Sequence, residues 1–324
     1  MVISIDVSEE ADSKWNTRLL ESHIGTIYQS IEHGLYLNSI GEKPLFVKFV
    51  NSKGDIVGQL LITASSLYKK NGTIKTIFKK IQSSKKMIYK WTYGPVIIDS
   101  DFRCDVYSEL GNFLHSEKCK VWGSEHPLSK SCISVFQKYF KINPWSSFLI
   151  DLHKTKDELY NNIEKHSGRK NIERSIKRGV IIEEITDKSF NEYLELLNKQ
   201  RKESKTELVD EELMHKWWKT FQPIGLTGFL AKKDDIAIGG LLLSFFSKYI
   251  IEGLVARSSE DYVNKLYSQD LIKWKIIEWG IENKLDYYDL AGANPNPTSE
   301  KEKGILRYKK KWGGKKYDYN LIRN

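Results

Sequence analysis

Residues 226–256 of the chain read LTGFLAKKDDIAIGGLLLSFFSKYIIEGLVA. The segment predicts a three-stranded meander with strands at 226–231, 236–247 and 249–256, because apolar runs of strand length flank the polar turn KKDD. A helical apolar pattern at 262–282 and a short strand at 287–290 follow it. A meander followed by a helix and a strand indicates an α+β fold, because a doubly wound sheet requires regular βαβ repeats.

The first half of the chain shows a similar order of elements. It predicts a helix at 16–31, strands at 45–50 and 56–64, a strand at 88–98 broken by Gly94 and Pro95, a helix at 102–116, a strand at 120–123 and a further helix. The second half opens with a strand at 148–152, a capping box of Thr155 and Glu158, a helical region ending at Gly179, a strand at 180–185 and two helices up to 221. Because 324 residues exceed the usual size of a single core, we predict domains at 1–147 and 148–324.

Composition limits the class of protein and the kind of partner. A net charge of +9 and a pI near 9.1 favour an anionic partner such as tRNA, a nucleotide-linked substrate, coenzyme A or acidic lipid. The acidic start lacks a secretory signal, and the longest apolar run, 236–246, is shorter than the roughly 20 residues of a membrane span. We therefore expect a cytoplasmic protein with at most peripheral membrane contact. Cys104, Cys119 and Cys132 are expected to be reduced.

Several familiar catalytic motifs are missing from the sequence. It contains no His-x-x-x-His, Cys-x-x-Cys, Gly-x-Ser-x-Gly or P-loop pattern. Metallohydrolase, serine-hydrolase and kinase chemistries therefore lack their motifs, and we predict no metal site and no permanently bound cofactor. Amide formation from an activated ester needs none of these groups.

Three segments of the second half resemble, in order, the Fem family of cell-wall peptide transferases. They are GRKNI at 168–172 running into KRGV at 177–180, NKLY at 264–267 followed by LIKW at 271–274, and YYDLAG at 287–292 followed by GILRYKKKWGG at 304–314. The first half resembles the family less closely. The resemblance implies two tandem acetyltransferase-like (GNAT-type) domains with mixed, splayed sheets, the second carrying most of the site.

The same resemblance implies an activity. It indicates an amide-forming acyl or aminoacyl transferase that uses aminoacyl-tRNA as donor. The acceptor would be an amine of a cell-envelope precursor, either a small molecule or a lipid- or nucleotide-linked compound. One feature departs from the family: where its members carry a basic residue that contacts a nucleotide-sugar, this chain has His33 and Tyr36 after Gln29 and Ser30.

Two residues are predicted to be catalytic. The resemblance singles out Lys309, whose cation would stabilise the oxyanion of acyl transfer. Asp289, at the end of a predicted strand, can accept a proton or orient the amine, although a carboxylate that caps the turn at Gly292 would look the same. The predicted substrate-binding residues are Tyr308, Arg201, Arg169, Lys170, Asn264, Lys265, Tyr267 and Gly292.

Two other functions remain open. An acyl-coenzyme A-dependent N-acyltransferase would place a glycine-rich turn at 257–265, but this segment has no glycine, and Glu260 and Asp261 would repel a phosphate there. These two acids can instead cap a helix. A non-catalytic module that binds RNA or another polyanion would also account for the basic runs.

Overall fold

The structure is a computed structural model that describes residues 2–66 and 87–324. The chain divides into two compact units: unit 1 comprises Met1–Ser146 and Asp318–Asn324, and unit 2 comprises Ser147–Tyr317. The sequence placed residues 318–324 in the second domain. They group with unit 1 because Leu321, Ile322 and Arg323 pair antiparallel with Ser124, Gly123 and Trp122.

Unit 1 combines a mixed sheet with helices. Its strands are β1 (Ile3–Ser8), β2 (Lys43–Asn51), β3 (Ile56–Ser66), β4 (Met87–Trp91), β5 (Val96–Ile97), β6 (Lys120–Ser124) and the end of β13 (Lys315–Arg323). Its helices are α1 (Trp15–Glu21), α2 (Ile31–Ser39) and α3 (Arg103–Ser116), with 3₁₀ turns at Ile27–Gln29, Ser100–Phe102 and Ile133–Lys138. The strand order is β1-β2-β3-β4-β6-β13, and β5 pairs with β3. The parallel pair β4 and β6 is connected through α3, which buries Val106, Leu110 and Leu114 in the core.

The helix predicted at 16–31 is wrong in its extent. Helix α1 ends at Glu21, and the following chain packs so tightly that a Cβ on Gly25 would lie 2.1 Å from the carbonyl oxygen of Leu19. Helix α2 then begins afresh, because the hydroxyl of Ser30 accepts a hydrogen bond from the backbone N–H of His33.

The expectation of three reduced cysteines is also wrong. Cys104, in the first turn of α3, forms a disulfide with Cys132, and their Cα atoms lie 5.2 Å apart. Cys119 is buried and free. The pair is separated by 28 residues in sequence, so it could be recognised only after α3 had been packed beside the segment that precedes the 3₁₀ turn Ile133–Lys138.

Unit 2 contains a second mixed sheet. Its strands are the end of β7 (Lys141–Asp151), β8 (Ile181–Glu184), β9 (Leu226–Lys233), β10 (Ile236–Phe246), β11 (Tyr249–Arg257) and β12 (Tyr287–Ala293), in the order β7-β12-β11-β10-β9-β8. Its helices are α4 (Lys156–Asn162), α5 (Lys170–Lys177), α6 (Phe190–Glu203), α7 (Glu211–Gly225), α8 (Ser259–Val263), α9 (Ser268–Glu282) and α10 (Glu300–Lys310), with a π-helical turn at Lys165–Arg169. The predicted meander is confirmed as β9-β10-β11, and the capping box of Thr155 and Glu158 starts α4 as expected.

The sheet of unit 2 opens between two neighbouring parallel strands. β11 and β12 pair only from Tyr249 with Tyr287 to Ile251 with Asp289. Within the described chain they then continue without pairing to each other, to Arg257 and Ala293. This opening, bounded by residues 252–257 of β11 and 290–293 of β12, is called the splay below.

A β-bulge lies on the β11 side of the splay. The register between β10 and β11 shifts between Leu241 and Leu243, so that Gly253 and Leu254 lie opposite the single residue Leu242. A bulge of this kind disrupts the ladder locally and re-aims side chains. Gly253 is required by the close approach, since a Cβ there would lie 2.8 Å from the carbonyl oxygen of Leu242.

The helix predicted at 262–282 is interrupted. α8 ends at Val263, and α9 begins at Ser268. Between them Lys265 and Tyr267 adopt left-handed backbone angles, with φ of 53° and 59°. The new start is stabilised because the Asp261 carboxylate accepts a hydrogen bond of 2.9 Å from the Ser268 N–H.

The helices of residues 2–66 and 87–324 include none with both the length and the hydrophobicity of a membrane-spanning segment.

Candidate active site

A buried ion pair lies at the base of the splay. Glu252 is the first residue of β11 beyond the paired region, and its carboxylate forms a salt bridge with the Lys273 ammonium of α9. It also accepts a hydrogen bond of 3.1 Å from the Tyr288 hydroxyl. The side chains of Lys273 and Glu252 are only 3% and 11% exposed, so solvent screens the pair weakly.

Lys309 reaches the opposite strand of the splay from α10. Its ammonium donates hydrogen bonds to the carbonyl oxygens of Leu290 and Ala291 on β12, the second at 3.1 Å. Burial lowers the pKa of this ammonium below the ordinary lysine value, whereas the nearby Glu252 carboxylate opposes the shift and the Lys273 charge adds to it. The cation is therefore fixed at the splay and is easier to deprotonate than a surface lysine.

Asp289 lies beneath the segment that Lys309 binds. It is 0% exposed, and its carboxylate accepts hydrogen bonds from the Ser147 hydroxyl, the Tyr249 hydroxyl at 2.9 Å and the Ala291 N–H at 2.8 Å. The turn that it caps is at Ala291, whose φ is 61°, and not at Gly292. These three hydrogen bonds suit a residue that positions β12. Direct proton transfer by Asp289 stays a prediction.

A pocket of about 510 Å³ is wholly contained in unit 2 and shares Arg257 with the splay. The ring of Tyr308, which lines it, lies 5.5 Å from the Lys273 ammonium. The pocket is lined by cations, one carboxylate, aromatic rings and two smaller side chains: Arg257, Lys265, Lys311, Asp270, Tyr262, Tyr267, Tyr308, Val263 and Gln269. Arg257 and Lys311 are paired with Asp261 and Asp270, so Lys265 gives the lining its excess positive charge. Aromatic rings beside cations favour a ligand that carries phosphates and flat rings.

Lys311 and Asp270 order one wall of this pocket. Their salt bridge is only 9% and 7% exposed, and the second carboxylate oxygen of Asp270 accepts a hydrogen bond of 2.9 Å from the Asn171 amide. The Lys311 ammonium lies 4.2 Å from the centroid of the Tyr308 ring. Partial burial lowers the pKa of Lys311, and Asp270 opposes that shift. The ring of Tyr308 is thereby held against a cation.

The contacts of Asp261 show whether its charge would repel a phosphate bound at the segment 257–265. Asp261 is 0% exposed and forms a salt bridge with Arg257, so its charge is compensated internally rather than presented to a phosphate. The alternative interpretation, that this residue caps a helix, is confirmed by its hydrogen bond to the Ser268 N–H. Glu260 is exposed in the first turn of α8.

Three of the predicted binding residues meet in the pocket, namely Lys265, Tyr267 and Tyr308. The Tyr267 ring faces the guanidinium groups of Arg174 and Arg178 at 5.9 and 5.5 Å. The basic run of α5 thus reaches the pocket through these two residues and not through the two that the sequence singled out.

The other predicted binding residues lie outside the described lining of the pocket. Arg169 donates a hydrogen bond of 3.1 Å to the Asn161 side chain, and Lys170 follows it at the start of α5. Arg201 donates one of 2.8 Å to the Glu207 carbonyl, which ties down the loop after α6. Asn264 is exposed, and Gly292 follows Ala291 on β12.

Sequence reasoning missed five charged residues of the site: Arg257, Glu252, Asp270, Lys273 and Lys311. Two of them carried a usable signal. Asp270 and Lys273 interrupt the buried side of the apolar pattern at 262–282, and both are buried in α9. Charged residues are seldom fully buried unless they are paired, so such interruptions mark a site.

Comparison with solved structures identifies the fold. FemX superposes with a TM-score of 0.72 over 97% of this chain and 96% of its own, at 13% sequence identity. The chain has the fold of FemX. L-PGS from Bacillus licheniformis gives a TM-score of 0.58 at 12% identity, over 98% of this chain and 94% of that one. A tandem GNAT protein from the clavulanic acid biosynthesis pathway gives 0.57 at 10% identity, over 99% and 98%.

These matches confirm the predicted α+β fold with tandem acetyltransferase-like domains. They also confirm, at the level of the fold, the resemblance to the Fem family. No protein-family model matches the sequence, and no curated protein matches it. At identities of 10–13% the likeness is one of fold, so the activity has to be argued from the site.

Proposed function

We propose that the chain is an amide-forming acyltransferase whose activated donor binds in the pocket and splay of unit 2. The observation that carries this proposal is the position of Lys309, which holds a cation at the splay next to the electropositive pocket. Acyl transfer places new negative charge on the former carbonyl oxygen, and a fixed donor at that point stabilises the transition state.

The geometry of Lys309 suits that task. An ammonium has three N–H donors, and two of them bind the carbonyls of Leu290 and Ala291. The third can be directed at the oxygen of a bound acyl group. The acceptor amine attacks the ester carbon, the tetrahedral intermediate collapses with cleavage of the C–O bond to the donor, and the proton lost by the amine goes to the leaving oxygen.

We infer that the donor is an aminoacyl-tRNA. A coenzyme A pyrophosphate is typically bound by free N–H groups at a helix N-terminus after the central strand, but Asp261 already accepts the first N–H of α9, from Ser268. The exposed Lys265 and the partly exposed Arg257 beside aromatic rings instead suit the phosphates and bases at the end of an RNA strand.

The proposed acceptor is an amine of a cell-envelope precursor, carried by a small molecule or by a lipid- or nucleotide-linked compound. Its support is the ordered resemblance of the second half to the Fem family, together with the matching fold. The replacement of a family basic residue by His33 and Tyr36 concerns how the acceptor is held and leaves the proposed transfer unchanged.

Competition between donors tests this proposal. Purified protein is supplied with mixed aminoacyl-tRNAs or with acetyl-coenzyme A, together with an extract of amine-bearing envelope precursors, and new amides are detected by mass spectrometry. We expect amide formation with charged tRNA only. Tight coenzyme A binding with indifference to tRNA would replace the donor assignment with acyl-coenzyme A. Salt-dependent RNA binding without turnover on any amine would indicate a non-catalytic module.

The lowered pKa of Lys309 predicts a pH dependence of the reaction. Because only the protonated ammonium can stabilise the oxyanion, kcat/KM should fall as pH rises through its pKa, at a lower pH than an ordinary lysine would give. In Lys309→Arg the guanidinium stays protonated throughout, so this alkaline limb should disappear from whatever activity remains. An identical alkaline limb in the two proteins would assign the titration to another group.

A further inference from the structure

Unit 1 contains a pocket that takes no part in the proposed acyl transfer. It has a volume of about 330 Å³ and lies among the 3₁₀ turn Ser100–Phe102, the start of α3, the chain after α1 and the segment after β6. Its walls include the side chains of Ile24, Ile97, Ile98 and Leu128. The volume falls at the lower end of the roughly 300–1,000 Å³ range of small-molecule sites.

Two cations of this pocket are not ion-paired in the described part of the chain. Arg103, at the start of α3, is half-buried, Lys130 is exposed, and neither forms a salt bridge or side-chain hydrogen bond there. One exposed acid, Glu21, also lines the pocket. A half-buried guanidinium among aliphatic side chains is stabilised by an anionic partner, so the charge and the lining both favour an anion.

Hydroxyl groups complete the set of donors. Three serines line the pocket with the two cations, and the Ser129 hydroxyl already donates to the His126 carbonyl, which leaves Ser22 and Ser100. The Ser22 oxygen accepts a hydrogen bond of 3.3 Å from the Ile24 N–H, so its own hydrogen can be donated to a ligand. Two cations and two hydroxyls provide more donors than a planar carboxylate can use, and they suit the three terminal oxygens of a phosphate.

The disulfide of unit 1 lies next to both cations of the pocket in sequence. Arg103 directly precedes Cys104, and Lys130 lies two residues before Cys132. Because the cysteines are covalently joined, the two segments that carry the cations are held together before any ligand arrives. Such preorganisation lowers the entropic cost of binding.

We propose that this pocket binds a small phosphate monoester with an apolar body, and that the Cys104–Cys132 disulfide keeps it in its binding form. The phosphate contacts Arg103, Lys130 and the serine hydroxyls, while the apolar body packs on the aliphatic wall. The assignment is independent of the acyl transfer proposed for unit 2.

Calorimetric titration with phenyl phosphate tests the pocket, with inorganic phosphate and benzoate as comparison ligands. We expect phenyl phosphate to bind more tightly than either, since only it offers both the phosphate and the apolar body. Arg103→Gln should weaken binding about 10- to 100-fold, because a charge-assisted contact is lost. Lys138→Gln, an exposed lysine outside the lining, is the matched control and should bind normally.

Two results would overturn the proposed ligand site. Equal affinity in Arg103→Gln and Lys138→Gln would remove Arg103 from it, and a loss of binding in Lys311→Gln alone would place the probe in the pocket of unit 2. Tighter binding of benzoate than of phenyl phosphate would reject the phosphate assignment.

Reduction of the Cys104–Cys132 disulfide tests whether it keeps the pocket in its binding form. Dithiothreitol converts Cys104 and Cys132 to two thiols and is itself oxidised to a cyclic disulfide, and we expect phenyl phosphate to bind several-fold more weakly afterwards. The double variant Cys104→Ser, Cys132→Ser should behave like the reduced protein without any reductant, provided its thermal unfolding stays cooperative. If both forms bind like the oxidised protein, the disulfide does not shape the pocket.

Discussion

Replacing Lys309 with alanine is expected to lower turnover by about 10²-fold to 10³-fold while the protein stays folded. The Lys309 ammonium is a cation fixed at the splay, and alanine removes the charge together with its hydrogen bonds to the Leu290 and Ala291 carbonyls. Amide formation in a single turnover, with charged tRNA in excess, measures the chemical step. Thermal unfolding of the same preparation shows whether the fold survives.

Lys310→Ala is the matched control for this experiment. Lys310 is exposed at the next position of α10, and consecutive helical residues point to different faces. It should weaken binding of polyanions at most and leave turnover unchanged. Near-normal turnover in Lys309→Ala, with authentic donor and acceptor, would show that the lysine serves only the β12 carbonyls and that the basic segment is a binding surface.

The elements of the fold could be predicted where the chain itself carries the signal. The polar turn KKDD at 232–235 separates two apolar runs, and the β9–β10 hairpin forms there. Thr155 and Glu158 cap α4 through contacts three residues apart. Such signals need no distant partner, because hydrophobic periodicity and local hydrogen bonds act within one element.

The break between α8 and α9 could not be predicted from such local signals. Lys265 and Tyr267 adopt left-handed backbone angles although neither is glycine. The sequence therefore contains no glycine or proline that would predict the interruption of the helix. The strain is compensated by contacts of Asp261, which binds Arg257 and caps Ser268. These bonds depend on the strand, the turn and the helix being in place together.

The candidate site was predicted in part for the same reason. Family resemblance identified Lys309, and Tyr308 beside it, but it passed over Lys311, two residues further on. Lys311 lines the pocket only because Asp270 of α9 and the Ser167 carbonyl bind its ammonium. The sequence of three consecutive lysines does not indicate which of them binds a carboxylate that is distant in sequence.

Replacing Lys273 with methionine is expected to lower the free energy of unfolding by about 3–5 kcal/mol. Lys273 and Glu252 are buried together at the base of the splay, so removal of the ammonium leaves a carboxylate in a poorly solvated place. Among the described residues, the Tyr288 hydroxyl is then its remaining hydrogen-bond partner. Urea unfolding followed by far-UV circular dichroism measures the loss. Lys275→Met is the control and should cost far less, because the Lys275 side chain on the same helix is 40% exposed and lies 4.0 Å from the Glu278 carboxylate.

A double variant distinguishes the charge from the packing. Glu252→Gln combined with Lys273→Met removes both charges and keeps similar volumes, so it should recover much of the stability lost in Lys273→Met alone, since no unpaired carboxylate remains. Equal losses in the single and double variants would mean that the lysine chain contributes by packing. Because the Glu252 carboxylate raises the pKa of Lys309 more than the Lys273 charge lowers it, a stable double variant should also shift the alkaline limb of kcat/KM to lower pH. A pair that only supports the fold would leave that limb where it is.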